Sequence, residues 1–133
     1  MGLSKLDHVN VRTANLEAME RFYVRALGLE SGWRPPFDFN GRWLYCGADP
    51  IVHLVEVERH QETVAPRVEH FALAGSGLAG FLERLRSAAI PYNVLITPGS
   101  EVRQVHLHDP DGNHIHCDFP ADEQADLGPY PGA

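Results

Sequence analysis

The chain has 133 residues, 44% of them apolar, and a formal charge of −7. That length fits one domain, and the apolar fraction is enough to build a core. Acidic and basic residues are scattered without a basic face, so no nucleic-acid partner is expected. No stretch approaches the roughly 18 apolar residues that a membrane span needs.

The start, Met1-Gly2-Leu3-Ser4, lacks the basic and apolar regions of a signal peptide. Cys46 and Cys117 are too few and too far apart for a disulfide scaffold, and fit a cytoplasmic chain with reduced thiols. Residues 6–12 alternate and carry Val9 and Val11, which predicts a strand. Asn15 is placed to cap a helix whose apolar face is Leu16, Met19, Phe22, Tyr23 and Leu27, and Gly28 ends it. Three short strands follow, near 31–37, 42–47 and 51–57. The order then repeats: a strand at 68–74, then a helix face of Leu78, Phe81, Leu82, Leu85 and Ala89 stopped by Pro91. Strands near 92–96, 102–108 and 114–119 complete it.

Gly47-Ala48-Asp49-Pro50 and Asp109-Pro110-Asp111-Gly112-Asn113 are the matching last turns, and Gly112 and Asn113 tolerate positive φ. Ala65-Pro66 reads as the linker. The result is a single domain over 1–133, with one module at 5–60, a second at 67–120 and a surface tail at 121–133 rich in Pro, Gly and acid.

Four histidines fall at matched places in the two copies. His8 and His70 open the first strand of each copy, 62 residues apart, and His53 and His116 lie in the last strands, 63 apart. Strand parity puts His53 with Ile51, Val55 and Val57, opposite Val52, Leu54 and Glu56. It puts His116 with His114 and Asp118, opposite Ile115, Cys117 and Phe119. The apolar faces can pack on the helices and leave the imidazoles to line a cavity. Imidazole is the commonest protein ligand of a borderline divalent metal. One divalent ion, zinc, nickel or iron(II), held by His8, His53, His70 and His116 is therefore expected. A lone strand histidine is ordinarily just a polar residue, and His60, His106 and His108 are left in that class. Glu56 becomes a ligand only if the strand register slips by one residue.

Leu6-Asp7-His8-Val9, Phe22-Tyr23 before Leu27-Gly28-Leu29, Glu69-His70-Phe71 and Asp109-Pro110-Asp111-Gly112-Asn113 together resemble the vicinal oxygen chelate superfamily over residues 5–120. This is the glyoxalase, bleomycin-resistance and extradiol dioxygenase group. The resemblance implies an α+β fold in which two β-α-β-β-β modules form a curved eight-stranded cup around one metal. It implies ligands at His8, His53, His70 and His116, although the family usually has Glu at the last position. Family members often pair, and a homodimer follows as an expectation.

For a small-molecule substrate, the aromatic run contributes Trp33, Phe37, Trp43 and Tyr45, with Phe39 beside them. Sheet packing or a dimer contact is the ordinary use of such residues. Arg103, with Arg34 and Arg42, can hold an oxyanion, although a surface ion pair is commoner. His114 can line the cavity mouth. The leading expectation is a glyoxalase-like lyase or isomerase acting on a small α-oxygenated molecule, with His53 or His116 as a mobile base. Extradiol cleavage of a diol by iron(II) and non-enzymatic drug binding or resistance are the alternatives.

Overall fold

The computed structural model describes residues 2–60, 62 and 66–132. They divide into two compact units, 1–62 and 63–133. Ala65 of the expected linker lies outside the described residues.

The first unit runs β1 (Val9–Thr13), α1 (Leu16–Arg25), β2 (Glu30–Gly32), β3 (Gly41–Cys46) and β4 (Asp49–Glu56). Its sheet order is β1-β4-β3-β2. First and last strands pair in parallel, with Val9 beside Val52 and Asn10 beside His53, while the other neighbours are antiparallel. The second unit repeats this with β5 (His70–Ala74), α2 (Leu78–Ser87), β6 (Asn93–Ile96), β7 (Arg103–His108) and β8 (His114–Phe119). Its order is β5-β8-β7-β6, with His70 beside His114 and Ala72 beside His116. Both expected β-α-β-β-β modules are present, and among the described residues they supply eight strands in two four-stranded sheets.

The core of each unit is the apolar stripe read from the helical spacing. Leu16, Met19, Phe22 and Tyr23 are buried on α1, with Leu44, Val52 and Leu54 buried in its sheet. Leu78, Leu82 and Leu85 are buried on α2, with Val105, Leu107, Ile115, Cys117 and Phe119 in the second sheet. Each large apolar side chain so buried contributes about 1.5–3 kcal/mol relative to exposure.

Several local expectations are corrected. β1 begins at Val9, so His8 stands just before the strand. β2 stops at Gly32 instead of reaching 37, because Pro35 and Pro36 carry no N–H for a ladder. Asn15 does not cap α1 through its side chain; its backbone N–H is instead donated to Thr13 Oγ1 at 2.9 Å. Ala89 is not on the apolar face of α2. It is exposed at φ 55°, one residue past the cap, where Ala89 N donates to Arg86 O and Ile90 N donates to Leu85 O. This is the left-handed terminus usually filled by glycine. In the acidic turn only Gly112 takes positive φ. Asp109 organises that turn: its Oδ1 accepts the amides of Asp111 and Asn113 at 3.0 and 2.9 Å.

The tail lies on the surface but is anchored. Glu123 Oε1 accepts the amides of Gly77 and Leu78 at 2.8 and 2.7 Å, and so caps α2. Tyr130 exchanges two backbone hydrogen bonds with the buried Tyr92.

Candidate metal centre

In the first unit, the β1–β4 pairing brings His8 and His53 together. Asn10 lies beside His53, and His8, two residues earlier and just before β1, comes onto the same face. Their rings stack at 3.9 Å between centroids with 11° between planes. Trp43, directly across from His53 on β3, stacks on its other side at 4.0 Å and 11°. His53 is only 8% exposed. Burial, and then the proximity of His8, lower its pKa and keep it neutral. Its Nε2–H donates to Pro50 O at 2.9 Å. His8 Nδ1 donates to Asp7 Oδ2 at 2.7 Å, and that bond lowers the Asp7 pKa. Glu56 lies on the opposite strand face and accepts from Asn40 Nδ2.

The expected substrate residues divide into separate environments. Trp33 meets Trp43 edge-on at 6.3 Å and Phe37 tilts toward Trp43 at 6.4 Å, so an aromatic cluster continues outward from His53. Trp33 and Phe37 are 70% and 44% exposed. The Arg34 guanidinium lies over Phe37 and Phe39. Tyr45 donates its hydroxyl to Trp33 O and, with Trp33, lines a 280 Å³ cleft among Glu30, Ser31, Gly32 and Gly47 that holds no histidine. Arg42 is paired with Glu20 at 3.2 Å.

In the second unit, five imidazoles gather on β5, β7 and β8, with His108 stacked on His114 at 5.2 Å between ring centroids. His70 lies 4.6 Å from His116 and 5.0 Å from His114, while His106 lies 4.7 Å from His116. Burial, then the nearby His116 and His114, lower the His106 pKa. Glu69 binds this group from the edge. Its carboxylate accepts from Nδ1 of His70 and, at 2.9 Å, from Nδ1 of His114. Those two bonds, His70 first, lower its pKa. Glu69, His70 and His114 offer donor atoms all within 4.8 Å of one another, a His/His/Glu cluster suited to a divalent ion. His116, buried at 6% exposure, donates Nδ1–H to Asp118 Oδ1 at 2.6 Å. His114 is engaged at both nitrogens, since its Nε2 accepts from His106 Nδ1 at 2.9 Å. Arg103 is half-buried and donates to the backbone carbonyls of Glu101 and Glu123, which makes it an anchor of the tail.

The structure therefore joins His8, just before β1, with His53 on β4, and His70 on β5 with His116 on the neighbouring β8. Sequence reasoning missed the acids: Asp7, Glu69 and Asp118 were not assigned roles. A signal was present, because an acid immediately precedes the first histidine in both copies, as Asp7-His8 and Glu69-His70.

The family model described as Glyoxalase/Bleomycin resistance protein/Dioxygenase superfamily matches residues 5–117. The chain belongs to that superfamily. Among solved structures it is similar to a glyoxalase family protein from Bacillus anthracis, with 21% identity, coverage of 90% of this chain and 98% of that one, and TM-score 0.75. A glyoxylase/bleomycin resistance protein/dioxygenase domain from Frankia sp. EAN1pec gives 16%, 92%, 96% and 0.74 in the same order. A lactoylglutathione lyase from Agrobacterium tumefaciens gives 21%, 90%, 96% and 0.68. At such identities the likeness concerns the fold. No curated protein matches the sequence. No helix among the described residues is long and apolar enough to cross a membrane.

Proposed function

We propose that this chain is a glyoxalase-like, metal-dependent lyase or isomerase acting on a small α-oxygenated substrate. The observation that carries the reading is the acid–imidazole cluster of Glu69, His70 and His114, with His116 packed against His70. The donors are those a borderline divalent cation prefers, so the residues fit zinc, nickel or iron(II). When bound, such an ion polarises a substrate oxygen and stabilises the negative charge that develops there.

The chain's own residues would supply the rest. His8, His53, His70 and His116 are the proposed source of ligands. His53 is held neutral and keeps a lone pair on Nδ1 while Nε2–H is tied to Pro50 O, so it suits the acceptance of a proton. Trp43, Trp33 and Phe37 offer apolar surface beside His53 that would exclude water from a bound substrate. Tyr45, Arg103 and His114 are engaged in hydrogen bonds of their own and would contribute by shaping the surroundings. A homodimer in the cytoplasm completes the reading.

The test is activity of protein reconstituted separately with zinc, nickel and anaerobic iron(II). Isomerisation of α-oxoaldehyde–thiol adducts supports the proposal. Oxygen-dependent ring cleavage of catechols would replace it with extradiol chemistry. Tight binding of an aromatic drug without turnover under every metal would replace it with sequestration.

A further inference from the structure

Three arginines are suited to hold an oxyanion, and their surroundings separate them. Arg42 is paired with the Glu20 carboxylate, and Arg103 donates to two backbone carbonyls. Arg34 lies in the loop between β2 and β3 and is left incomplete. Its Nη1 donates to Phe39 O at 3.2 Å, and its guanidinium carbon lies 5.1 and 5.2 Å from the ring centres of Phe37 and Phe39. Its Nε is shielded from water and meets no acceptor. Among the described residues Nη2 meets none either, and no carboxylate pairs with the group, Asp38 of the same loop included. Gly41 leaves room for this arrangement, since a Cβ there would stand 3.2 Å from Nη2. The unused edge is the one made by Nε–H and Nη2–H, which matches the two oxygens of a carboxylate. A buried donor without an acceptor costs about 1–3 kcal/mol, so the fold holds this edge against its own stability.

The rings beside it form a continuous apolar surface. Phe37 stacks on Phe39 at 4.9 Å and reaches Trp43 at 6.4 Å, and Trp43 meets Trp33 edge-on at 6.3 Å. Trp43 carries this surface on to His53 at 4.0 Å. Phe37, Phe39 and Trp33 are exposed, so they have room to shift for a ligand and open ring area to cover it. A cation with a free two-donor edge beside exposed aromatic rings is complementary to a molecule that is aromatic at one end and anionic at the other. All of these residues lie in the first unit.

We infer that the first unit binds an aromatic carboxylate: the Nε–Nη2 edge of Arg34 takes the anion, and the ring lies against Phe37, Trp33 and Trp43. The site needs no metal. Naming its ligand as the substrate rests on the proposed metal-dependent reading, and narrows the small α-oxygenated molecule to one that carries an aryl group and an acid.

The probe is phenylacetate, titrated into the metal-free full chain and followed by tryptophan fluorescence, because Trp33 and Trp43 are the two tryptophans of the sequence. Phenylacetamide keeps the ring and loses the charge; acetate keeps the charge and loses the ring. We expect saturable binding of phenylacetate, with phenylacetamide about 10–100-fold weaker, as loss of a charged hydrogen-bonded pair implies. Arg34→Gln should weaken phenylacetate by the same factor and leave phenylacetamide unchanged. Arg34→Lys, which keeps the charge without the fork, should fall between. Proton–nitrogen NMR of the wild type gives a second readout that needs no variant. The Arg34 Nε–H resonance should move downfield with phenylacetate and stay in place with phenylacetamide.

An Arg34 resonance that ignores phenylacetate overturns the inference, even where Arg34→Gln fails to fold. So does equal binding of phenylacetate and phenylacetamide, or of phenylacetate and acetate. Fluorescence that changes with protein concentration and not with phenylacetate assigns the aromatic face to a second copy of the chain, which also overturns it. Saturable binding by a protein that turns over nothing with zinc, nickel or iron(II) upholds the site and removes the metal-dependent function instead. Turnover of a neutral substrate, with no phenylacetate bound, does the reverse.

Discussion

Glu123 accepts the backbone proton of Leu78 at 2.7 Å, across 45 residues of sequence. The same oxygen takes the Gly77 amide. α2 has glycine at its N-cap and no acid in its first turn, so it lacks a side-chain cap of its own. The tail supplies both the missing acceptor and the negative charge that a helix N-terminus favours.

Glu123→Ala is therefore expected to destabilise the fold by about 1–2 kcal/mol, the sum of a lost cap and a lost dipole interaction. Glu123→Gln, which keeps an oxygen, should lose about half of that. Urea unfolding followed by far-UV circular dichroism measures both. Equal midpoints for wild type and Glu123→Ala would show that the contact is energetically idle.

Ala89 gives the opposite sign. A non-glycine residue in the left-handed region costs about 1–2 kcal/mol, and the greater unfolded-state freedom of glycine cancels part of the relief. Ala89 is exposed, so little packing is lost on truncation. Ala89→Gly should stabilise by about 0.5–1 kcal/mol and raise the thermal midpoint by about 2–4 °C. A lower midpoint in scanning calorimetry would contradict this account of the helix end.

The two thiols should differ in reactivity. Cys46 is exposed; Cys117 is 4% exposed, and burial pushes its pKa up to about 12 from the ordinary thiol value of 9.0. The thiolate is the reactive form, so at pH 8 iodoacetamide should label Cys46 alone in the native protein and both in urea. The raised value also means that the unfolded chain ionises first. This group's stabilisation is complete below pH 9 and declines as pH rises through 12. Peptide mapping by mass spectrometry reads the labelling, and rapid native modification of Cys117 would refute the burial.

Exposed apolar groups bear on assembly. Leu6, Trp33, Val68, Leu95 and Ile96 are 73%, 70%, 79%, 55% and 48% exposed. Leu95 and Ile96 lie on β6, an edge strand of its sheet. Such surface calls for cover, and the proposed homodimer should give twice the chain mass by light scattering at micromolar concentration. A monomer at that concentration would discard the dimer.

Much of this was legible in the sequence because periodicity reports burial. The helical stripes Leu16-Met19-Phe22-Tyr23 and Leu78-Leu82-Leu85 appear as buried faces. The alternation around His53 and His116 correctly separated the imidazoles from Val52, Leu54, Ile115 and Cys117. What escaped depends on contacts between residues distant in sequence or on local backbone competition. Nothing local announces that Glu123 caps Leu78, and Asn15 looked like a cap until Thr13 took its amide. Ala89 fits the helical period yet falls beyond the helix end. The acids beside His8 and His70 were visible as residues, but their hydrogen bonds to Nδ1 were not.

The parallel pairing of β1 with β4, and of β5 with β8, has a consequence for how such a protein can change. Each histidine pair is carried on or at the end of adjacent strands held in register by their own ladder, His8 directly before β1, whereas the helix and middle hairpin separate them only along the chain. Residues 33–40 and 97–102 lie in those intervening stretches, outside every strand. Insertions or deletions there can remodel the surroundings while the spacing between the paired imidazoles stays fixed. If the proposed activity holds, a library that varies loop length at these two places is a route to altered substrate preference with the histidine framework retained.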